Sequence, residues 1–174
     1  MEVTLTKASK SDFKKAENLF DLYVSEMSKI TGRELHPSKK SFVYDKLFNV
    51  YWEKDDHFPY LIFYGGKLIG FSFVRRYPAD KSLYDMGHFF IHSNFKGKGL
   101  GRKAFLLTLE IFSGNWLTRV LIENQGAFQF WKKIISEKTK GNYLISQELD
   151  EELNMHFIRY TVNSSLEFHE VKQT

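Results

Sequence analysis

The sequence predicts an α/β domain of the α+β kind: one mixed, mostly antiparallel central sheet with helices on both faces. Three observations carry this expectation. Two apolar runs, Pro59 to Tyr64 and Lys67 to Arg76, are joined by Gly65-Gly66, the signature of a hairpin. Strand and helix patterns alternate only in the middle of the chain, as in a mixed sheet. Tyr143 to Leu149 and Met155 to Val162 read as a closing antiparallel pair after the Gly141-Asn142 turn.

The elements follow in order. Val3-Thr4-Leu5-Thr6 alternates like a strand. Ser9 or Ser11 then caps a helix with Asp12 in its first turn. Phe13, Ala16, Leu19, Phe20, Tyr23 and Met27 keep helical spacing up to a stop at Gly32. Pro37-Ser38 opens a second helix, from Lys39 to Trp52. After the hairpin, Leu83 to His92 is a further strand. A helix from Gly99 to Phe112 is apolar on nearly all sides and ends at Gly114-Asn115. Trp116 to Ile122 is a strand, and Ala127, Phe130, Trp131 and Ile134 line one face of the next helix. Asn163 to Thr174 has no clear pattern and reads as a tail, leaving residues 1–162 as the single domain.

Length and composition bound the function. At 174 residues the chain is one domain with room for a real core. Its 43% hydrophobic fraction suits a soluble globular protein, and 17 Phe imply an aromatic-rich core or cleft. The net charge of +4 is interleaved with acids, so nucleic acid is not an expected partner. The absence of Cys excludes disulfides, thiolate metal sites and a cysteine nucleophile. No apolar run approaches membrane-spanning length and the start lacks a signal-peptide pattern, so the expected location is cytoplasmic.

The richest segment runs from Phe89, Phe90 and Ile91 through Lys96, Gly97, Lys98, Gly99, Leu100, Gly101 and Arg102 to Lys103. An apolar strand leads into a loop with glycine at every second position, and a helix follows. Glycines let the backbone approach a ligand, and amides at a helix N-terminus point outward at the positive end of the dipole. Together these make a cradle for phosphate. No acid occurs between Met86 and Leu109, while four basic residues cluster at the turn. An ordinary glycine turn with a solvated basic rim is the competing reading. Other phosphate motifs fit worse. Gly65 and Gly70 have Walker spacing, but Phe71 stands in place of lysine; the dinucleotide fingerprint needs glycine where Arg102 stands.

This organisation resembles the GNAT superfamily of N-acetyltransferases, which move an acetyl group from acetyl-coenzyme A to an amine. The resemblance covers Val3 to Val162. It is most specific at Lys96-x-x-Gly99-x-Gly101, where the family has Arg or Gln first, and at Asn124-Gln125-Gly126-Ala127, which matches the family's Asn-x-x-Ala signature. The Gly-Asn-Trp turn and the Phe130-Trp131 pair look like a subgroup of poorly characterised bacterial acetyltransferases. The resemblance implies acetyl-CoA as cosubstrate, no metal, and an amine acceptor; it leaves room for a homodimer. It places the diphosphate on the amides from Gly97 to Arg102, the pantetheine amides on the strand edge at Phe89 to Ile91, and the cofactor arm beside Asn124. Asn124 also suits a plain helix cap.

The resemblance puts the catalytic base on the strand before the loop, where Asp85 and His88 are the candidates; an ordinary His titrates in the useful range. Structural roles compete for both. His88 and His92 are four apart, but on a strand and without a third ligand they make no metal site. The family often carries an acid tyrosine seven residues after the asparagine. Here that residue is Trp131, which suits core packing, so Tyr143, Tyr160 or water is left to protonate the thiolate. Phe42, Tyr44, Tyr51, Trp52, Asp55, Asp56 and His57 are the residues available to an acceptor. The competing functions are a non-catalytic CoA-binding module, suggested by Trp131, and a basic nucleic-acid-binding domain, suggested only by charge.

Overall fold

The computed structural model describes residues 1–32 and 44–163. The start of the second helix at Pro37-Ser38, the candidate acceptor residue Phe42 and the tail beyond Asn163 lie outside them.

Seven strands form one sheet: β1 (Val3–Lys7), β2 (His57–Tyr64), β3 (Lys67–Tyr77), β4 (Asp80–Ile91), β5 (Gly114–Leu121), β6 (Tyr143–Asp150) and β7 (Leu153–Val162). Their spatial order is β1-β2-β3-β4-β5-β7-β6. Every neighbouring pair is antiparallel except β4–β5. The β2–β3 hairpin turns on Gly65 and Gly66 with φ of 55° and 77°, the doubly left-handed turn that matches strand twist.

Helix α1 (Phe13–Thr31) follows a 3-10 turn, Lys10–Asp12, entered through Ser9. The Ser9 amide donates to Asp12 Oδ2 at 3.0 Å, and Gly32 ends α1 with φ 65°. A π-helical turn, Asp45–Asn49, continues into an α-helical turn, Val50–Glu53; the two together are α2. Helix α3 spans Leu100–Ile111 and α4 spans Gln125–Thr139.

The period-2 alternation of the central strands sorts their side chains onto two faces. Leu61, Phe71, Phe73 and Phe90 meet Ala16, Leu19 and Phe20 of α1 and Phe48 and Tyr51 of α2. On the opposite face Val74, Met86, Trp116 and Ile158 meet Phe105 and Leu109 of α3 and Trp131, Ile134 and Ile135 of α4. Helix α3 is less apolar than its sequence predicts: Arg102, Lys103, Glu110 and Ile111 stay toward solvent. Among the described residues no helix is long and apolar enough to cross a membrane.

Candidate functional site

The site begins where the sheet opens. β4 and β5 pair only at Tyr84↔Trp116 and Asp85↔Leu117. Both strands run on, to Ile91 and Leu121, without further rungs between them. A bulge at Gly87 accompanies the split: Phe73 faces His88 and Val74 faces Met86, which leaves Gly87 over. Only glycine fits there, because a Cβ would sit 1.9 Å from Tyr51 Oη. The segment Phe89, Phe90, Ile91 lies past the last rung. Its side chains hold the two cores: Phe90 packs with the α1 cluster, Phe89 rests 5.1 Å from the Trp131 ring, and Ile91 joins Leu100 and Ala104. Its backbone on the β5 side faces the split.

The loop after β4 leads to the same opening. Gly97 and Gly99 have φ of 76° and 72°, and a Cβ at either would meet nothing within 4 Å. Gly99 is the N-cap of α3 and offers no side-chain cap. The Lys103 amide is the one that returns to the Gly99 carbonyl, at 3.2 Å, so the amides of Leu100, Gly101 and Arg102 precede the helical ladder. The basic side chains are mostly engaged elsewhere. Lys96 is ion-paired with Glu26 of α1, Lys98 Nζ donates to the Asn94 carbonyl at 3.1 Å, and Arg102 Nη2 donates to Glu137 of α4 at 3.0 Å. The anion-attracting character of the loop therefore rests on amides and the helix dipole.

Asn124 stands at the start of α4. Its Oδ1 accepts from the Ala127 amide at 3.1 Å, which makes it the helix cap. Its Nδ2 lies 3.9 Å from Met27 Sδ of α1. Trp131 is buried, with its ring 4.7 Å from Phe105, 4.9 Å from Phe130 and 5.1 Å from Phe89. It is a core residue. Tyr160 shares a 3.0 Å hydrogen bond with the Thr118 hydroxyl, and burial pushes its phenol above the usual range, which weakens it as an acid. Tyr143 is its cross-strand neighbour on β6.

The α1 face of the split carries the charged groups. Asp85 is fully buried. Its Oδ2 accepts from Arg75 Nε at 2.8 Å and from Arg119 Nη2 at 2.7 Å, and its Oδ1 accepts from Arg119 Nε at 3.1 Å. Arg119 also donates to Asp150. His88 lies among the rings of Phe20, Tyr23 and Tyr51, at 5.2, 5.5 and 5.9 Å. Its Nδ1 is 3.3 Å from Tyr23 Oη. Burial, then the charges of Arg75 and Arg119, push its pKa down to about 3. Burial raises that of Tyr23 to about 12.

These placements run against the expected role of base for either residue. Asp85 has both oxygens occupied by guanidinium groups. His88 is neutral at physiological pH and is too weakly basic to hold a proton taken from an amine. Of the acceptor candidates among the described residues, Tyr44, Tyr51, Trp52, Asp56 and His57 serve the scaffold, while Asp55 is exposed. Tyr44 and Tyr51 are core, Trp52 Nε1 donates to the Ser9 carbonyl at 3.1 Å, and Asp56 bonds Lys81 and the buried His57. Sequence reading passed over Tyr23, Arg75 and Arg119. Arg119 had a signal: a lone charge inside the apolar strand Trp116 to Ile122 needs a buried partner.

A family model, the acetyltransferase (GNAT) family, matches residues 16–135. The chain belongs to the GNAT acetyltransferase family. It is an acyl-CoA-dependent N-acyltransferase with acetyl-CoA as its cosubstrate. Solved acetyltransferase structures share the fold. An acetyltransferase from Thermus thermophilus superposes with a TM-score of 0.69 at 18% identity, over 93% of this chain and 98% of that one. A spermidine N-acetyltransferase from Vibrio cholerae, in complex with CoA and spermine, gives 0.65 at 14% identity, over 92% and 95%. The aminoglycoside acetyltransferase AAC(6')-Ib, in complex with coenzyme A, gives 0.63 at 16% identity, over 92% and 95%. No curated protein matches the chain. The split sheet, the glycine loop and the uncapped α3 terminus suit a GNAT cosubstrate: an extended arm needs an open strand edge, and a diphosphate needs free amides. Among the described residues no group of three or more His, Asp or Glu gathers to hold a metal.

Proposed function

We propose that this GNAT chain transfers an acetyl group from acetyl-CoA to a primary amine by direct attack, with both substrates bound together. The observation that carries this is the parting of β4 from β5 beside an uncapped, glycine-led helix terminus. In this reading the amides from Gly97 to Arg102 hold the diphosphate. The free edge at Phe89 to Ile91 pairs with the pantetheine amides, and Asn124 adds its side-chain amide from the far side of the split. Acetyl-CoA supplies a thioester activated toward amines. Without Cys, the chain has no thiol to carry the acetyl group, which supports direct transfer.

With Asp85 held between two guanidinium groups and His88 neutral, the simplest account is an amine that reaches the site already deprotonated. The proton on the departing thiolate then comes from water, since Trp131 is no proton source, Tyr160 is held by Thr118, and Tyr143 stands across from Tyr160, in register with Trp116 on the closed side of the fork. Polyamines such as spermidine, and aminoglycosides, the amines named for two of the structural neighbours, are the first acceptors to try.

Trp131 in the core favours one rival, a CoA-binding module without turnover. Calorimetric titration with CoA and thiol release from acetyl-CoA in an amine panel separate the two. Binding with amine-dependent thiol release supports the enzyme. Binding without release from any amine favours the module, and no binding sinks both.

A further inference from the structure

The opening between β4 and β5 is where the chain would take the pantetheine arm, and an array of charges built around the buried Asp85 sits at its closed end. Asp85 is the last β4 residue paired to β5, opposite Leu117. Arg119 is two residues further along β5, on the same face as Leu117. Had the ladder continued, Arg119 would pair near Gly87. Instead its side chain turns back to Asp85 and takes both carboxylate oxygens, at 3.1 and 2.7 Å. Arg75, directly across β3 from Asp85, takes Oδ2 at 2.8 Å. Asp150, at the end of β6, takes the other side of Arg119.

We propose that Asp85 and Arg119, braced by Arg75 and Asp150, form a clamp that sets how far β4 and β5 part, and so act as positioning residues for acyl-CoA. Three observations converge on this. The pair sits at the fork itself, bridging the two strands where their backbone ladder ends. The contact is bidentate and fully buried on the Asp85 side, so it fixes angle as well as distance. The brace reaches β3, the neighbour of β4, and β6, the edge strand beyond β7, which ties the fork to both halves of the sheet. Apolar side chains at these positions would pack without directional preference. Paired charges accept a narrow range of geometries, which suits a slot that must stay open yet keep its width. This also accounts for Asp85 as a carboxylate in the expected place for a base but without access to substrate.

The inference rests on reading the split as the acyl-CoA slot, so the test measures CoA binding first and turnover second. Arg119→Met, Arg119→Lys and Asp150→Asn are compared with the parent protein and with Val162→Ala, a core truncation at the end of β7, paired with Gly114 and away from the opening. Affinity for CoA is read by calorimetry, KM for acetyl-CoA and kcat by thiol release, and folding by circular dichroism and thermal midpoint. Arg119→Met is expected to weaken CoA binding about tenfold, the loss of roughly one well-made backbone hydrogen bond to the arm when the strand edge shifts. KM for acetyl-CoA rises with it, while kcat at saturation changes much less. Arg119→Lys, which offers a single ammonium, falls between, and Val162→Ala binds as the parent does. If Arg119→Met does not fold, Arg119→Lys and Asp150→Asn must show the same ordered loss. The clamp is overturned if the folded Arg119 variants bind CoA as the parent does, or if Val162→Ala weakens binding equally. A parent protein that binds no CoA would remove the slot reading and the clamp together, an outcome distinct from either.

Discussion

Gly99 and Gly101 lie two residues apart and answer to different constraints. Gly99 has φ 72°, and a Cβ there would project into open space, with nothing within 4 Å. Gly101 has no such backbone, and its Cβ would touch Phe130 and Ile91 at 3.4 to 3.6 Å, ordinary contact distances. Gly99→Ala is therefore expected to cost about 1–2 kcal/mol of stability, from the left-handed backbone. It should also weaken CoA binding about tenfold by crowding the diphosphate. Gly101→Ala should leave both nearly unchanged. Calorimetry and denaturant midpoints on the two variants check this, and equal CoA affinities would refute the phosphate assignment.

His88 is the other residue-scale case. With its pKa pushed down to about 3, its imidazole resonances should not titrate between about pH 8 and pH 5, a range in which an ordinary His does. The rate should instead rise with pH as the acceptor amine loses its proton. A proton-coupled shift of His88 near neutrality, with a matching step in the pH–rate profile lost in His88→Ala, would restore it as the base.

At the scale of elements, α4 joins a cap to a core ring. Asn124 Oδ1 accepts from the Ala127 amide, so Asn124→Ala is expected to cost about 1 kcal/mol. If its side-chain amide also meets the cofactor arm, KM for acetyl-CoA rises beyond what the lost cap explains. Trp131, one face further along, touches Phe89, Phe105 and Phe130. Trp131→Ala should destabilise the fold by about 3–5 kcal/mol, as for other large-to-small core truncations. Trp131→Phe should leave kcat within about twofold, and Trp131→Tyr should lose stability by burying a hydroxyl among rings. Steady-state rates and denaturant midpoints decide; a large rate loss in a stable Trp131→Phe would make the indole a working group.

For the whole molecule, the proton linkage has one sign. His88 binds a proton less readily folded than unfolded. Between its ordinary value near 6.5 and about 3 the unfolded chain therefore holds the extra proton, and stability falls as pH falls through that window. This group alone gives a slope of up to about 1.4 kcal/mol per pH unit. His57, whose pKa burial lowers, adds in the same direction. Asp56, held low by Lys81, and Glu148, held low by Arg159, also lose their contributions as acid protonates them. Denaturant midpoints measured from neutral to mildly acidic pH should drop steadily, and His88→Phe should flatten the upper part of that drop.

The sequence by itself determined what short-range chemistry decides. The hairpin at Gly65-Gly66, the loop glycines, the Asn124 cap and the helical face carrying Trp131 depend on backbone preference and periodicity within a few residues, and each was legible. The strand and helix order that places the loop beside β4 followed from the same signals. Tertiary structure decided what Asp85 and His88 are. Arg119, 34 residues from Asp85, and Tyr23, 65 residues from His88, reach them only through the sheet and α1. The apolar rings around His88 and the two guanidinium groups around Asp85 are brought there by packing. Ionisation depends on the charges and the dielectric within a few ångströms in space. A strand's own residues do not disclose those surroundings, so the two candidate bases were nameable from the sequence while their chemistry was not.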